Sequence, residues 1–158
     1  MFALVLALLS VSAQGQSAVG IDLGATTLGE DFDSGALFEA GLRFGSLKPK
    51  RVNADVRLTT FPQAFAEGFV LLAADVDGAY VVPVGTSVVA TPRAGVSLLG
   101  GGGSGGAGGV AGINLGVGIV VRSTSRVGIR FDYGYRNYLS ESDGFSASSV
   151  SFGIVWVH

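Results

Sequence analysis

Few side chains in this sequence could act on a substrate. The 158 residues contain no cysteine and a single histidine, His158. Thiol nucleophiles, thiolate metal sites and disulfide frameworks are thereby excluded, and a multi-histidine metal centre with them. His158 could serve as a base for Ser151 or another serine only from a terminal, poorly fixed position, so no catalytic residue is assigned. Gly103 to Gly108 fits the G-x-G-x-x-G string. A dinucleotide fingerprint, however, opens a helix and carries an acidic residue about 20 positions on. Here a strand-like pattern follows, so the glycines read as a flexible external loop and no cofactor is expected. Glu30, Asp31 and Asp33, or Glu141 and Asp143, offer carboxylates for Ca²⁺ without the spacing of an EF-hand loop. They read as solvated loops, and no metal site is expected.

One charged set remains. Arg43, Arg57, Arg93, Arg122, Arg130 and Arg136 share a parity with Asp22, Glu39, Asp55, Asp75, Asp77 and Asp132 along their respective segments. Guanidinium and carboxylate groups pair through bidentate forks. Six of each sign suit mutual neutralisation in a confined interior, where an unpaired charge is costly.

The segments that must hold them alternate with a period of two, as strands with unlike faces do. Val19, Ile21, Leu23 and Ala25 form the first, and Phe38, Ala40, Leu42 and Phe44 the second. Val52 to Leu58, Val70 to Val82 and Val88 to Leu98 follow. Ala111 to Val121, Val127 to Tyr135 and Val150 to Trp156 complete eight. Most reach the ~9–11 residues of a tilted membrane strand. No apolar run after the N-terminus reaches the ~18 residues of a spanning helix, although mean hydropathy is +0.53. Intrinsic disorder is incompatible with that hydropathy and with only 14% charged residues. A net charge of −2 gives no reason to expect nucleic acid.

Alternation alone leaves open which face is inside. A soluble barrel binding an apolar ligand would turn the aliphatic parity inward. The polar parity here is mostly Gly and Ser with sparse charge, unlike a solvated surface. It fits the narrow interior of eight strands, with the aliphatics meeting lipid. Connections support this reading. Ser46 to Lys50, Pro83 to Thr86 and Ser123 to Ser125 are short, whereas Gly29 to Ser34, Pro62 to Glu67, Leu99 to Gly109 and Leu139 to Ser146 are longer. Short periplasmic turns opposite longer external loops are the rule for outer-membrane barrels. Two belts of interfacial aromatics are expected: Phe44, Tyr80 and Trp156 at the turn side, with Phe38, Phe61, Phe69, Tyr135 and Tyr138 at the loop side. Residues 1–16, an apolar run fading into small residues, read as a cleaved signal peptide, leaving 17–158 as one barrel domain.

Thr91 to Ser97, Gly112 to Gly118 and Arg126 to Tyr138 resemble the outer-membrane protein β-barrel domain family. They are similar to its small eight-stranded members, the OmpA transmembrane domain and OmpX. The resemblance covers nearly all of residues 17–158 through diffuse patterns. It implies an all-β, antiparallel, up-and-down transmembrane barrel in the outer membrane of a Gram-negative-type cell. It also implies export, insertion by the barrel-assembly machinery, and outer-membrane lipids as partners of a monomer. The family's last strand usually ends in an outward aromatic; here Phe152, Ile154 and Trp156 keep the alternation before His158. The expected role is structural or surface-interactive, with a lumen plugged by charge pairs. A small-solute channel is the alternative.

Overall fold

In a computed structural model, which describes residues 17–29, 35–139 and 144–158, the alternating segments close on one another. The expected signal peptide and the acidic positions 30, 31, 33, 141 and 143 lie outside the described residues. β1 (Ser17–Leu28), β2 (Ala36–Ser46), β3 (Val52–Thr60) and β4 (Val70–Tyr80) run up and down in sequence. So do β5 (Val88–Gly103), β6 (Gly106–Arg122), β7 (Val127–Leu139) and β8 (Phe145–Val157). Val82–Pro83 continues β4 beyond Val81 and pairs with Ala90 and Val89. Each strand pairs antiparallel with its sequence neighbours. β1 closes the ring on β8, with Ile21 opposite both Leu42 and Ile154. Every strand thus has a hydrogen-bonded neighbour on each side, which is what a hydrocarbon environment demands of a β structure.

Register decides the faces, because a one-residue slip would exchange them along a whole strand. The odd residues of β6 point outward: Ile113 is 55% exposed and Leu115 59%. Phe131 on β7 is 54% exposed. The alternate residues Asn114, Arg130 and Asp132 are buried. The reading as a soluble barrel with an apolar interior is therefore corrected: its proposed ligand-lining side chains are on the outer surface, where they could touch no enclosed ligand.

At the turn end, Ala18, Leu47, Val81, Val89, Val120, Val155 and Val157 form a buried apolar layer inside the barrel. Val81 interrupts β4 with its side chain fully buried. Its N–H donates to the Arg51 carbonyl at 3.3 Å, and its own carbonyl accepts from Lys50 N–H at 2.8 Å. The turns are tight: Val84 N–H reaches the Val88 carbonyl at 3.0 Å and Ser123 N–H the Val127 carbonyl at 2.9 Å.

The loop end differs from expectation in one place. Leu99 to Gly109 was expected as a flexible loop, but β5 continues to Gly103 and β6 begins at Gly106. The strands stay in register from Val88↔Val121 out to Gly103↔Gly106. A run of glycines has poor strand propensity, yet the rigid wall below fixes its register. Phe69 also covers it: a Cβ added at Gly101 would lie 2.7 Å from the Phe69 ring. Between β3 and β4 the chain forms a short helix, α1 (Pro62–Ala66), started by Pro62 at its first turn. Phe38 N–H donates to Gln63 Oε1 at 2.5 Å, tying this connection to β2. No described helix is long and apolar enough to cross a membrane.

Candidate functional site: the charged lumen

The inward parity of all eight strands converges on one polar interior. Asp22 comes from β1, Glu39 and Arg43 from β2, Asp55 and Arg57 from β3, and Asp75 and Asp77 from β4. Arg93 and Ser97 come from β5, Asn114 from β6, Arg130, Asp132 and Arg136 from β7, and Ser149 from β8. Arg57 is 2% exposed and Glu39 fully buried.

Most of these groups form one continuous chain of ion pairs. Arg57 bridges Glu39, at 2.8 Å from Nη2, and Asp22, at 3.1 Å from Nε. Arg43 sits 3.6 Å from Asp22, donates to Asp55 at 2.8 Å, and lies 3.5 Å from Asp132. Arg130 pairs with Asp132 at 2.7 Å and lies 3.4 Å from Asp55. Arg93 joins Asp132 to Asp77, the latter at 3.3 Å. A second group sits nearer the loop end. Arg136 grips Asp75 through both carboxylate oxygens at 3.0 and 2.7 Å, Ser97 donates to Asp75, and Asn114 donates to Ser97 at 3.1 Å. Hydroxyls fill some of the remaining lone pairs, with Thr26 Oγ1 donating to Glu39 at 2.6 Å. Small residues leave the room: a Cβ on Gly118 would lie 2.6 Å from Thr91 Oγ1 and 2.7 Å from Asp132.

Arg122 departs from the expected set. Its Nε and Nη2 have no hydrogen-bond partner, and it makes no ion pair among the described residues. It is the last residue of β6, and one step further in lies Val120 of the apolar layer. The ion-paired set thus holds five guanidinium groups and six carboxylates, one base fewer than the even balance expected from parity. Two aromatics are corrected as well. Phe61 and Tyr138, expected at the membrane interface, are 3% and 2% exposed. Tyr138 has the parity of Arg136 and Asp132, and Phe61 that of Arg57 and Thr59, so both point inward. Tyr138 instead packs on Phe145 with ring centroids 4.9 Å apart. Phe38, Tyr80, Tyr135 and Trp156 face outward and are exposed, and Phe44 is half-buried. Phe69 is exposed at the loop rim but has the inward parity of Ala73 and Asp75 and lies against Gly101 and Gly103, so it too is corrected from the expected outward belt.

The sequence reading missed the apolar layer at the turn end. The signal was present: Val120 shares the parity of Asn114 and Arg122, and Val155 that of Ser149 and Ser151.

By sequence, no known protein family and no curated protein matches the chain. Solved structures do. Neisserial surface protein A superposes with a TM-score of 0.67 at 18% identity, over 89% of this chain and 96% of that one. Ail, the attachment invasion locus protein of Yersinia pestis, gives 0.62 at 13% identity over 91% and 99%. A major outer membrane protein from Thermus thermophilus gives 0.62 at 12% over 92% and 100%. The fold is that of the small eight-stranded outer-membrane β-barrels. Within that fold, the lumen of this barrel presents paired charges and hydroxyls. The described residues contain no cluster of three or more metal-ligating side chains. The arrangement holds buried charge in paired, hydrogen-bonded form.

Proposed function

We propose that this protein is an integral outer-membrane barrel with a structural or surface-interaction role, and that its lumen is sealed by its own ion pairs. The carrying observation is the reversal of faces: a broad belt of exposed large apolar side chains surrounds a buried network of charge. A contiguous apolar belt of this kind needs an apolar solvent around it. Eight strands enclose only enough space for side chains to fill, and the apolar layer beneath the charges closes the turn end. Two of the structural neighbours are named as a surface protein and as an attachment protein, which supports an interactive role for the loop end. No catalytic chemistry is assigned to it. Export through a signal peptide at residues 1–16, insertion by the assembly machinery and a monomeric state belong to the same reading.

Carbonate-washed membranes and semi-native gels test it. The protein should stay in the membrane pellet and migrate differently before and after boiling, because folded barrels resist detergent unfolding. Release into the supernatant would overturn the membrane reading. Pure protein in planar bilayers should give no steady conductance. A steady, ion-selective current would replace the sealed lumen with a channel.

A further inference from the structure

Outside the lumen network, every cation of the described residues lies at one end of the barrel. Lys48, Lys50 and Arg51 occupy the β2–β3 turn, and Arg122 and Arg126 flank the β6–β7 turn. These turns are half-way round the ring from one another. The single acid of the described residues outside the lumen is Glu67, at the opposite end beside α1. Residues 1–16 contain no acid either. Lys50, Arg51 and Arg126 are exposed and make no ion pair among the described residues.

Each of the two basic turns stands beside an outward aromatic. Val127, next to Arg126, is the cross-strand partner of Trp156, and the Arg126 carbonyl accepts from Val157 N–H at 2.8 Å. Val52, next to Arg51, pairs with Tyr80. Trp and Tyr settle at the headgroup level of a bilayer. A Lys or Arg one residue beyond them can lay its aliphatic stem along the apolar rim and place its charge among the phosphates.

We propose that the turn end of the barrel binds the phosphate groups of anionic phospholipids, through Arg126 beside Trp156 on one wall and Lys50 and Arg51 beside Tyr80 on the other. This rests on the membrane-spanning reading above, and it adds a headgroup class and a polarity to it. The loop end has no exposed cation among the described residues and takes no part. Water-soluble polyanions would meet the same charges but gain nothing from the aromatic rim, so a lipid is the better fit.

Trp156 is the only tryptophan in the protein and stands beside one of the two sites. The folded full chain is reconstituted in phosphatidylcholine vesicles carrying a minor fraction of brominated phosphatidylglycerol or, separately, brominated phosphatidylcholine. Boiling-dependent gel migration verifies folding in each sample, so failure of the barrel is seen separately from failure of lipid choice. Relative association from Trp156 quenching should favour the anionic lipid by about fivefold, the effect of one near-surface cation. The preference should fall in high salt, disappear in Arg126→Gln and persist in Arg126→Lys. Equal quenching by the two lipids in folded protein would overturn the proposal. So would loss of the preference on adding millimolar inorganic phosphate at constant ionic strength, which would assign the site to free anions.

Discussion

Individual side chains in the lumen differ sharply in what their loss should do. Among the described residues Arg57 is the one cation paired with Glu39, and it shares Asp22 with Arg43. Arg57→Met would leave two carboxylates buried without that cation, at a cost of about 3–5 kcal/mol. The urea midpoint of the barrel refolded in detergent should fall accordingly. Asp77 is the opposite case: its one ion-pair contact is Arg93 at 3.3 Å, and its Oδ1 has no partner. It belongs to a set with one acid more than its bases. Asp77→Asn should therefore shift stability by no more than about 1 kcal/mol, in the same assay. Parity made both residues legible as lumen groups, since Arg57 alternates with Val56 and Leu58 and Asp77 with Val76 and Gly78. Parity could not reveal their different partners, because pairing runs between strands far apart in sequence, as from Asp75 to Arg136. Arg122 is different: the inward parity of Val120 and Val155 already marks the apolar layer that separates it from the acids.

At the scale of a strand, period-two alternation carries nearly all the information, and β6 is the clearest example. Ile119 is outward and Gly118 inward, so their substitutions fail for different reasons. Ile119→Arg puts a charge on the lipid side and should cost ~2–4 kcal/mol near mid-depth, read as a lower yield of the heat-modifiable form in vesicles. Lumen glycines respond to crowding. A Cβ at Gly95 would lie 2.1 Å from the Val76 carbonyl oxygen, whereas one at Gly108 meets nothing within 4 Å. Gly95→Ala should lose about 1–3 kcal/mol by overpacking. Gly108→Ala should stay within about 0.5 kcal/mol of the parent, both by urea titration. The eight strands and their short turns were legible because each long segment alternates without a break. The extension of β5 and β6 through Gly103 and Gly106 was not. Glycine has no side chain to alternate, and only pairing with a rigid wall shows that the backbone remains extended.

The whole molecule reverses the usual protein solvent order. Charge is gathered inside the barrel, an apolar layer lies at the turn end, and large aliphatic and aromatic residues cover the wall. Composition hinted at this, because 48% hydrophobic residues with 14% charge leave too little polar surface for a soluble barrel. The scarcity of Lys, Glu and Gln on the polar parity favoured one of the two faces as the interior. Phe61 and Tyr138 show where position along a strand misleads: both sit at strand ends, as interfacial aromatics do, but their parity turns them inward. The absence of native cysteine permits a direct test. Spin labels placed singly at residues 113 to 121 of β6, in the barrel reconstituted in vesicles, report oxygen access at each position by power saturation. Oxygen concentrates in the hydrocarbon core, so access should peak at 113, 115, 117, 119 and 121 and fall at the residues between. Low oxygen access at those odd positions, with the maxima moved to 114, 116, 118 and 120, would contradict the account.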